Sequence, residues 1–134
     1  MDLGEALMVA GIGCRAGISA EEVESALAAA LAPIAPDKRS LSAIATAATK
    51  GHERGIITAA AARGVPLVLI AQSDLEAADA RTLTHSRHAI AAMNVHSVAE
   101  AAALAAAGPT ARLLGPRIAI GPVTCALAYQ ADTE

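Results

Sequence analysis

The sequence has no phenylalanine and no tryptophan, and Tyr129 is its one tyrosine. A chain this poor in aromatics lacks the platforms on which unpaired bases stack. Positive charge is also thin. Ten Lys and Arg stand against thirteen Asp and Glu, for a net charge of −3. The cations are scattered, so no basic stripe follows a phosphate backbone. Nucleic acid is not an expected partner. Cysteine is scarce as well: Cys14 and Cys125 lie far apart without a CxxC spacing, and the start lacks the basic-then-apolar layout of a signal peptide. A reduced, cytoplasmic protein is expected. The longest apolar runs, Ala26–Ile34 and Ala99–Ala107, fall well short of the ~20 residues a spanning helix requires. No membrane association is expected either.

What the chain does have is aliphatic bulk. Of its 134 residues 54% are hydrophobic and 17% charged, which is ample apolar surface to offset the entropy of ordering. The length fits one domain over residues 1–134. With alanine abundant, the core must combine Leu, Ile and Val with close-packed Ala, and small side chains let helices sit near a sheet.

Periodicity orders the chain into alternating elements. Leu7–Ile12 is a short apolar run ended by glycines, as in a buried strand. Ser19 with Glu22 forms an S-x-x-E capping box before a helix carrying Val23, Leu27 and Leu31, which Pro33 and Pro36 close. Leu41–Ala47 reads as a second strand, Glu53–Arg63 as a helix stopped by Gly64, and Leu67–Ala71 as a buried strand. Asp74–Ala80 suits a short helical turn. Ser86–Met93 and Ser97–Ala107 read as consecutive helices, the second with Ser97 and Glu100 in capping-box positions. Arg112–Ile120 and Val123–Tyr129 close the chain as a hairpin, although Pro116 calls for an edge strand or a break in the first of them. The order predicts an α/β fold: a three-layer α/β/α domain with a mixed, mostly parallel sheet of about five strands.

In such sheets ligands bind beyond the carboxyl ends of the strands. The first such end is Gly11-Ile12-Gly13-Cys14-Arg15-Ala16-Gly17, read as a glycine turn whose free N–H groups near a helix start attract anions. Arg15 adds a donor fork for carboxylate or phosphate. Gly11, Gly13 and Ala16 formally satisfy G-x-G-x-x-G/A, but the helix begins only at Ser19 and the second strand ends without an acidic residue for a ribose. A dinucleotide site is excluded on those grounds, and no P-loop exists. An ordinary strand-to-helix turn is the alternative.

The second strand end supplies Lys50, His52, Glu53 and Arg54. Lys50 and Arg15 can face one anion together, with Glu53 or His52 as acid or base. The plainer reading makes them solvated loop residues, with Glu53 favoured by the helix dipole. Cys14 precedes a helix start, where thiolates form more easily, and reads either as a nucleophile or as a small buried hydrophobe. Cys125 reads as core. His85 and His88 are three apart, but with no H-E-x-x-H and no third ligand at a recognised spacing the four histidines (His52, His85, His88 and His96) read as surface residues, and no metal or cofactor is expected. Ser86, beside Thr84, caps a helix and is outside any G-x-S-x-G elbow.

The ordered set of these segments resembles one family. Gly11-Ile12-Gly13-Cys14-Arg15 followed by Gly17, Ser19, Glu21 and Glu22 is similar to the start of the CobE proteins and of the C-terminal domain of CbiG. Lys50, Glu53 and Gly55 resemble the family's K-x-x-E-x-G element, and Gly64-Val65-Pro66-Leu67 its strand entry. Thr84-His85-Ser86 resembles a mid-chain serine element, Ser97–Leu104 an S-V-x-E-A-A-A-L helix, and Val123–Ala128 the terminal T-x-A-x-A strand. The resemblance covers nearly the whole chain. Asn94 replaces a usual glycine, which its tolerance of left-handed backbone permits, and Arg117 replaces a lysine.

The resemblance implies a role in cobalamin biosynthesis. It points to binding of a precorrin or of hydrogenobyrinic acid, in the manner of stand-alone CobE, with Gly11, Gly13, Cys14, Arg15, Lys50 and Ser86 as ligand-binding candidates. Two further readings stay open. One is an enzyme opening a precorrin lactone, as CbiG acts on cobalt-precorrin-5A, with Glu53 or His52 as acid–base. The other is a helper that docks on another enzyme of the pathway.

Overall fold

The computed structural model describes residues 6–131, so the outermost ends of the expected 1–134 domain lie outside the described residues. Three parallel strands come first: β1 (Ala6–Cys14), β2 (Ala43–Ala47) and β3 (Leu67–Ile70). They are joined by helices α1 (Ala20–Leu31) and α2 (Arg54–Arg63). The chain continues through α3 (Gln72–Ala78), α4 (Arg87–Met93) and α5 (Val98–Ala107), then closes with strands β4 (Arg112–Leu113), β5 (Ile118–Ile120) and β6 (Val123–Ala131). β6 lies antiparallel to β1, with Gly11 opposite Ala126, giving the order β3-β2-β1-β6-β4. β5 pairs the same strand, Ile120 opposite Val123 across Gly121-Pro122.

The expected mixed α/β sheet is present, with six strands rather than about five. Its parallel half is β3-β2-β1; β6 and its partners β4 and β5 form an antiparallel half. The extra strand comes from Pro116, which cannot donate to a ladder and so divides the penultimate segment into two short edge pieces.

Alternation along β1 separates two cores. Met8, Ala10 and Ile12 face α1 and α2, meeting Val23, Leu27, Ile44 and Ile56. Val9 faces the other way, toward α5 and α3, with Ala45, Leu75, Ala103 and Leu104. Gly11 belongs to this second face. A Cβ there would lie 1.9 Å from the Ala99 carbonyl oxygen and 2.7 Å from the Ala103 nitrogen. Gly11 and Gly13 are therefore buried strand positions on which α5 rests, not the turn that the sequence suggested. The turn starts at Arg15.

The alanines of α5 have the same cause. Ala99, Ala101, Ala102 and Ala103 are all fully buried, because α5 is covered by the sheet on one side and by α3 on the other. A helix buried on every side has no amphipathic stripe to show. No single helix among the described residues is long and apolar enough to cross a membrane.

Helix ends match their sequence signals. Ser19 Oγ accepts from Glu22 N–H (3.1 Å) while Glu22 Oε1 accepts from Ser19 N–H (2.9 Å), a complete capping box. Gly64 ends α2 in left-handed backbone at φ 70°, and Asn94 ends α4 at φ 58°. The second capping box is only half formed. Ser97 Oγ accepts from Glu100 N–H, but the Glu100 carboxylate turns away to other partners.

Candidate functional site

The carboxyl ends of β1 and β2 are neighbours in the sheet, since Ile12 pairs with Thr46. The loops that leave them are joined by one carboxylate. Glu53 is buried, 5% exposed, and its Oε1 and Oε2 accept from the Gly17 N–H at 3.1 and 3.4 Å. Gly17 holds φ 77°, a left-handed conformation that favours glycine. At the other end of the same loop, Arg15 N–H donates to the Pro122 carbonyl at 3.2 Å. The tripeptide Arg15-Ala16-Gly17 is thus pinned at both ends, and the Arg15 side chain is exposed.

The spacing of the K-x-x-E-x-G element has a physical basis here. Gly55 lets α2 approach the start of α1: a Cβ at position 55 would meet the Ile18 carbonyl oxygen at 2.5 Å. That approach brings Glu53, two residues earlier, within reach of Gly17. Lys50, half-buried, is the last residue of the short 3-10 turn after β2, which Gly51 closes. His52 is exposed, its Nε2 3.7 Å from Glu53 Oε2, and Arg54 is exposed beside it.

Cys14 sits beneath this loop pair, packed against the α1–α2 core. Burial pushes its thiol up, Lys50 pulls it down and Glu53 pushes it up again, for a net rise. Of the two readings of Cys14 this favours the small packed hydrophobe over the nucleophile: desolvation outweighs the neighbouring ammonium. Cys125, buried in β6, is pushed up to about 12 by desolvation, which leaves it an inert core residue.

The expected supply of free amides is corrected too. The capping box of α1 engages the Ser19 and Glu22 amides, and Glu21 and Glu22 place negative charge in the first turn. Gly17 N–H is taken by Glu53 and Arg15 N–H by Pro122. The side chains that can meet an anion here are Arg15, Lys50 and Arg54. Gly11 and Gly13, buried under α5, leave the candidate site altogether.

Ser86 is not joined to this cluster by any hydrogen bond among the described residues. Its Oγ accepts from Ala89 N–H at 3.1 Å, as the N-cap of α4. Thr84 belongs to a different network, built on Glu100. That carboxylate is fully buried and accepts from Leu83 N–H (2.7 Å), Thr84 N–H (2.9 Å), Thr84 Oγ1 (2.5 Å) and Arg117 N–H (2.7 Å). Burial pushes its pKa up, but these donors outweigh burial and leave it below the ordinary value. Sequence reasoning treated Glu100 as a helix cap; a lone acid in an otherwise apolar helix was the available signal for a larger role.

A second pairing was also missed. Asp79 accepts from His96 N–H at 2.7 Å and contacts its Nδ1 at 3.0 Å, while the His85 and His96 rings lie 4.6 Å apart. His88 is exposed on α4. Among the described residues no group of three or more His, Cys, Asp or Glu is placed to hold a metal ion.

Two clefts lie elsewhere. One of about 410 Å³ lies between α3 and the end of α5, lined by Ile70, Asp74, Arg81 and Pro109 among others. One of about 210 Å³ lies between the end of α1 and β5–β6, lined by Ile34, Leu114 and Cys125 among others. Neither includes Arg15, Lys50 or Glu53. Their linings lack a converging set of cations, so the chemistry favours the strand ends.

Residues 8–128 match the family described as Cobalamin synthesis G C-terminus. The chain belongs to that family. Protein CobE of a Sinorhizobium species is 34% identical over 121 residues, spanning 90% of this chain and 79% of the relative. The crystal structure of CobE, a protein from the cobalamin (vitamin B12) biosynthetic pathway, superposes with a TM-score of 0.87 at 34% identity, covering 100% of this chain and 98% of that one. Cobalamin biosynthesis protein chiG from Agrobacterium tumefaciens is 41% identical with a TM-score of 0.72, over 91% and 97% of the two chains. This family member is a protein of the cobalamin biosynthesis pathway, of the CobE and CbiG C-terminal type.

Proposed function

We propose that this chain binds a carboxylate-rich intermediate of the corrin pathway, a precorrin or hydrogenobyrinic acid, on the surface formed by the Arg15–Gly17 and Lys50–Arg54 loops. The observation that carries this reading is the join between those loops. The Glu53–Gly17 hydrogen bond ties the loop that carries Arg15 to the loop that carries Lys50, with Arg15 exposed and Lys50 half-buried. Corrin intermediates carry several acetate and propionate carboxylates around a flat ring. An open surface with separated cations suits such a ligand, because each cation meets a different carboxylate.

Binding is favoured over turnover. An acid–base role for Glu53 requires contact with substrate, yet Glu53 is buried and its oxygens are turned to Gly17. His52 is 74% exposed, without the water-excluding surroundings that strengthen proton transfer.

A visible-spectrum titration of hydrogenobyrinic acid with the purified chain tests the reading. A shift saturating near one equivalent is expected, and Arg15→Ala and Lys50→Ala should each weaken it about tenfold through loss of a charge-assisted hydrogen bond. Spectra unchanged with hydrogenobyrinic acid and with precorrins would remove the proposal. Parent-like binding by both variants would move the site elsewhere.

A further inference from the structure

Glu53 occupies the N-cap position of α2, but its side chain makes no hydrogen bond to that helix. Ser, Thr, Asp or Asn would cap there better. The side chain reaches instead across to the loop after β1, where both oxygens meet the Gly17 N–H. Gly17 has no atom within 4 Å of where a Cβ would stand, so that side of the loop is open. Among the described residues, the ties on the loop backbone are the Glu53 bond and the Arg15–Pro122 bond. Gly55 completes the arrangement by letting α2 lie against Ile18 and Ser19.

We propose that Glu53 is a positioning residue: the reach of its side chain, rather than its negative charge, sets the Arg15–Gly17 loop so that Arg15 faces the ligand. This deepens the binding reading above and rests on it for the identity of the ligand. A Gly17 amide needs an acceptor oxygen at the right distance, which an amide oxygen supplies as well as a carboxylate does. The charge itself works against the site, since a carboxylate beside Lys50 lowers the positive potential that attracts an anion.

Two mild substitutions separate reach from charge. Glu53→Gln keeps the length and removes the charge; Glu53→Asp keeps the charge and withdraws the acceptor by one methylene. With ¹⁵N-labelled protein, the Gly17 amide of Glu53→Gln should stay as slow to exchange as in the parent chain, and hydrogenobyrinic acid should bind as tightly or up to about threefold tighter, because a repelling charge is gone. In Glu53→Asp, Gly17 exchange should quicken more than about tenfold as the local tie opens, and binding should weaken by about the same factor. The reverse order, with Asp retaining binding and Gln losing it, overturns the proposal in favour of a charge or acid–base role. A Gly17 amide that exchanges freely in the parent overturns it as well. Should the parent chain fail to bind hydrogenobyrinic acid, the binding reading fails by itself. The positioning role is then decided by the Arg15, Ala16 and Gly17 amide shifts: displaced in Glu53→Asp and parent-like in Glu53→Gln supports it, and unmoved in both overturns it.

Discussion

Glu53 and Glu100 are buried carboxylates, each at the start of a helix, one on either face of the sheet, and they are used very differently. Glu100 accepts from four donors drawn from Leu83, Thr84 and Arg117. Its oxygens have little acceptor capacity left, so it serves as an internal staple that fastens two loops to α5. Glu53 accepts from one amide and is bordered by solvent-reaching Arg15, His52 and Arg54. The lesson is that burial alone does not mark a functional acid. A carboxylate enclosed by donors on every side holds the fold, whereas one that ties a single exposed loop, with cations around it, shapes a surface.

The largest effect expected from this contrast is on the Glu100 side. Glu100→Ala leaves four donors without their acceptor and should cost about 4 kcal/mol, at roughly 1 kcal/mol for each lost bond. Urea denaturation reads this directly, and a loss below about 1 kcal/mol would place Glu100 on the same footing as Glu53.

Next in size is the packing of α5 on β1. Gly11→Ala drives a methyl into the Ala99 carbonyl and should cost about 3 kcal/mol, the upper range for overpacking. Gly17→Ala meets no neighbouring atom but forces alanine to φ 77°, costing only about 1 kcal/mol. Equal melting temperatures for the two variants would contradict the division between a buried glycine that supports the fold and an exposed one that shapes a loop.

The smallest effect is in acid. Folding lowers the pKa of Glu100 and of Asp79, in each case because hydrogen bonds outweigh burial. A depressed folded-state pKa means stability that is present above the unfolded value and lost as pH falls through the folded one. The chain should therefore lose stability as pH falls from 6 to 3, read as a falling urea midpoint. Replacing Glu100 by Gln should flatten that profile, and a profile of unchanged slope in Glu100→Gln would assign the acid sensitivity to other carboxylates.

Much of the local structure was legible in order. Short apolar runs marked β1, β2 and β3, and capping signals at Ser19, Gly64, Ser86 and Ser97 placed the helix ends within a residue or two. Pro116 announced the break between β4 and β5. These signals are local: a proline removes a donor, and a capping serine satisfies an amide three residues on, whatever the rest of the chain does. The candidate site was legible only in part. Arg15, Lys50 and Glu53 were singled out from strand-end logic, and the strands do bring their loops together. Gly11 and Gly13 were misread, because a glycine that makes room for a helix looks the same in sequence as one that turns a loop; of the two readings of Cys14, the structure favours the small packed hydrophobe. Glu100 was underrated for a similar reason, since its partners lie sixteen and seventeen residues away in the chain.

By itself, then, the sequence determined the kind and order of the elements, the absence of aromatic stacking, and the cationic pair that makes Arg15 and Lys50 candidates for carboxylate binding. The tertiary structure decided which glycines support α5 and which one shapes the loop, and which carboxylate is saturated and which ties the Arg15–Gly17 loop. Periodicity and capping act over a few residues and are written along the chain. Close approach, desolvation and the sharing of a buried acceptor depend on distances between segments, and those exist only once the sheet and its two helical layers have come together.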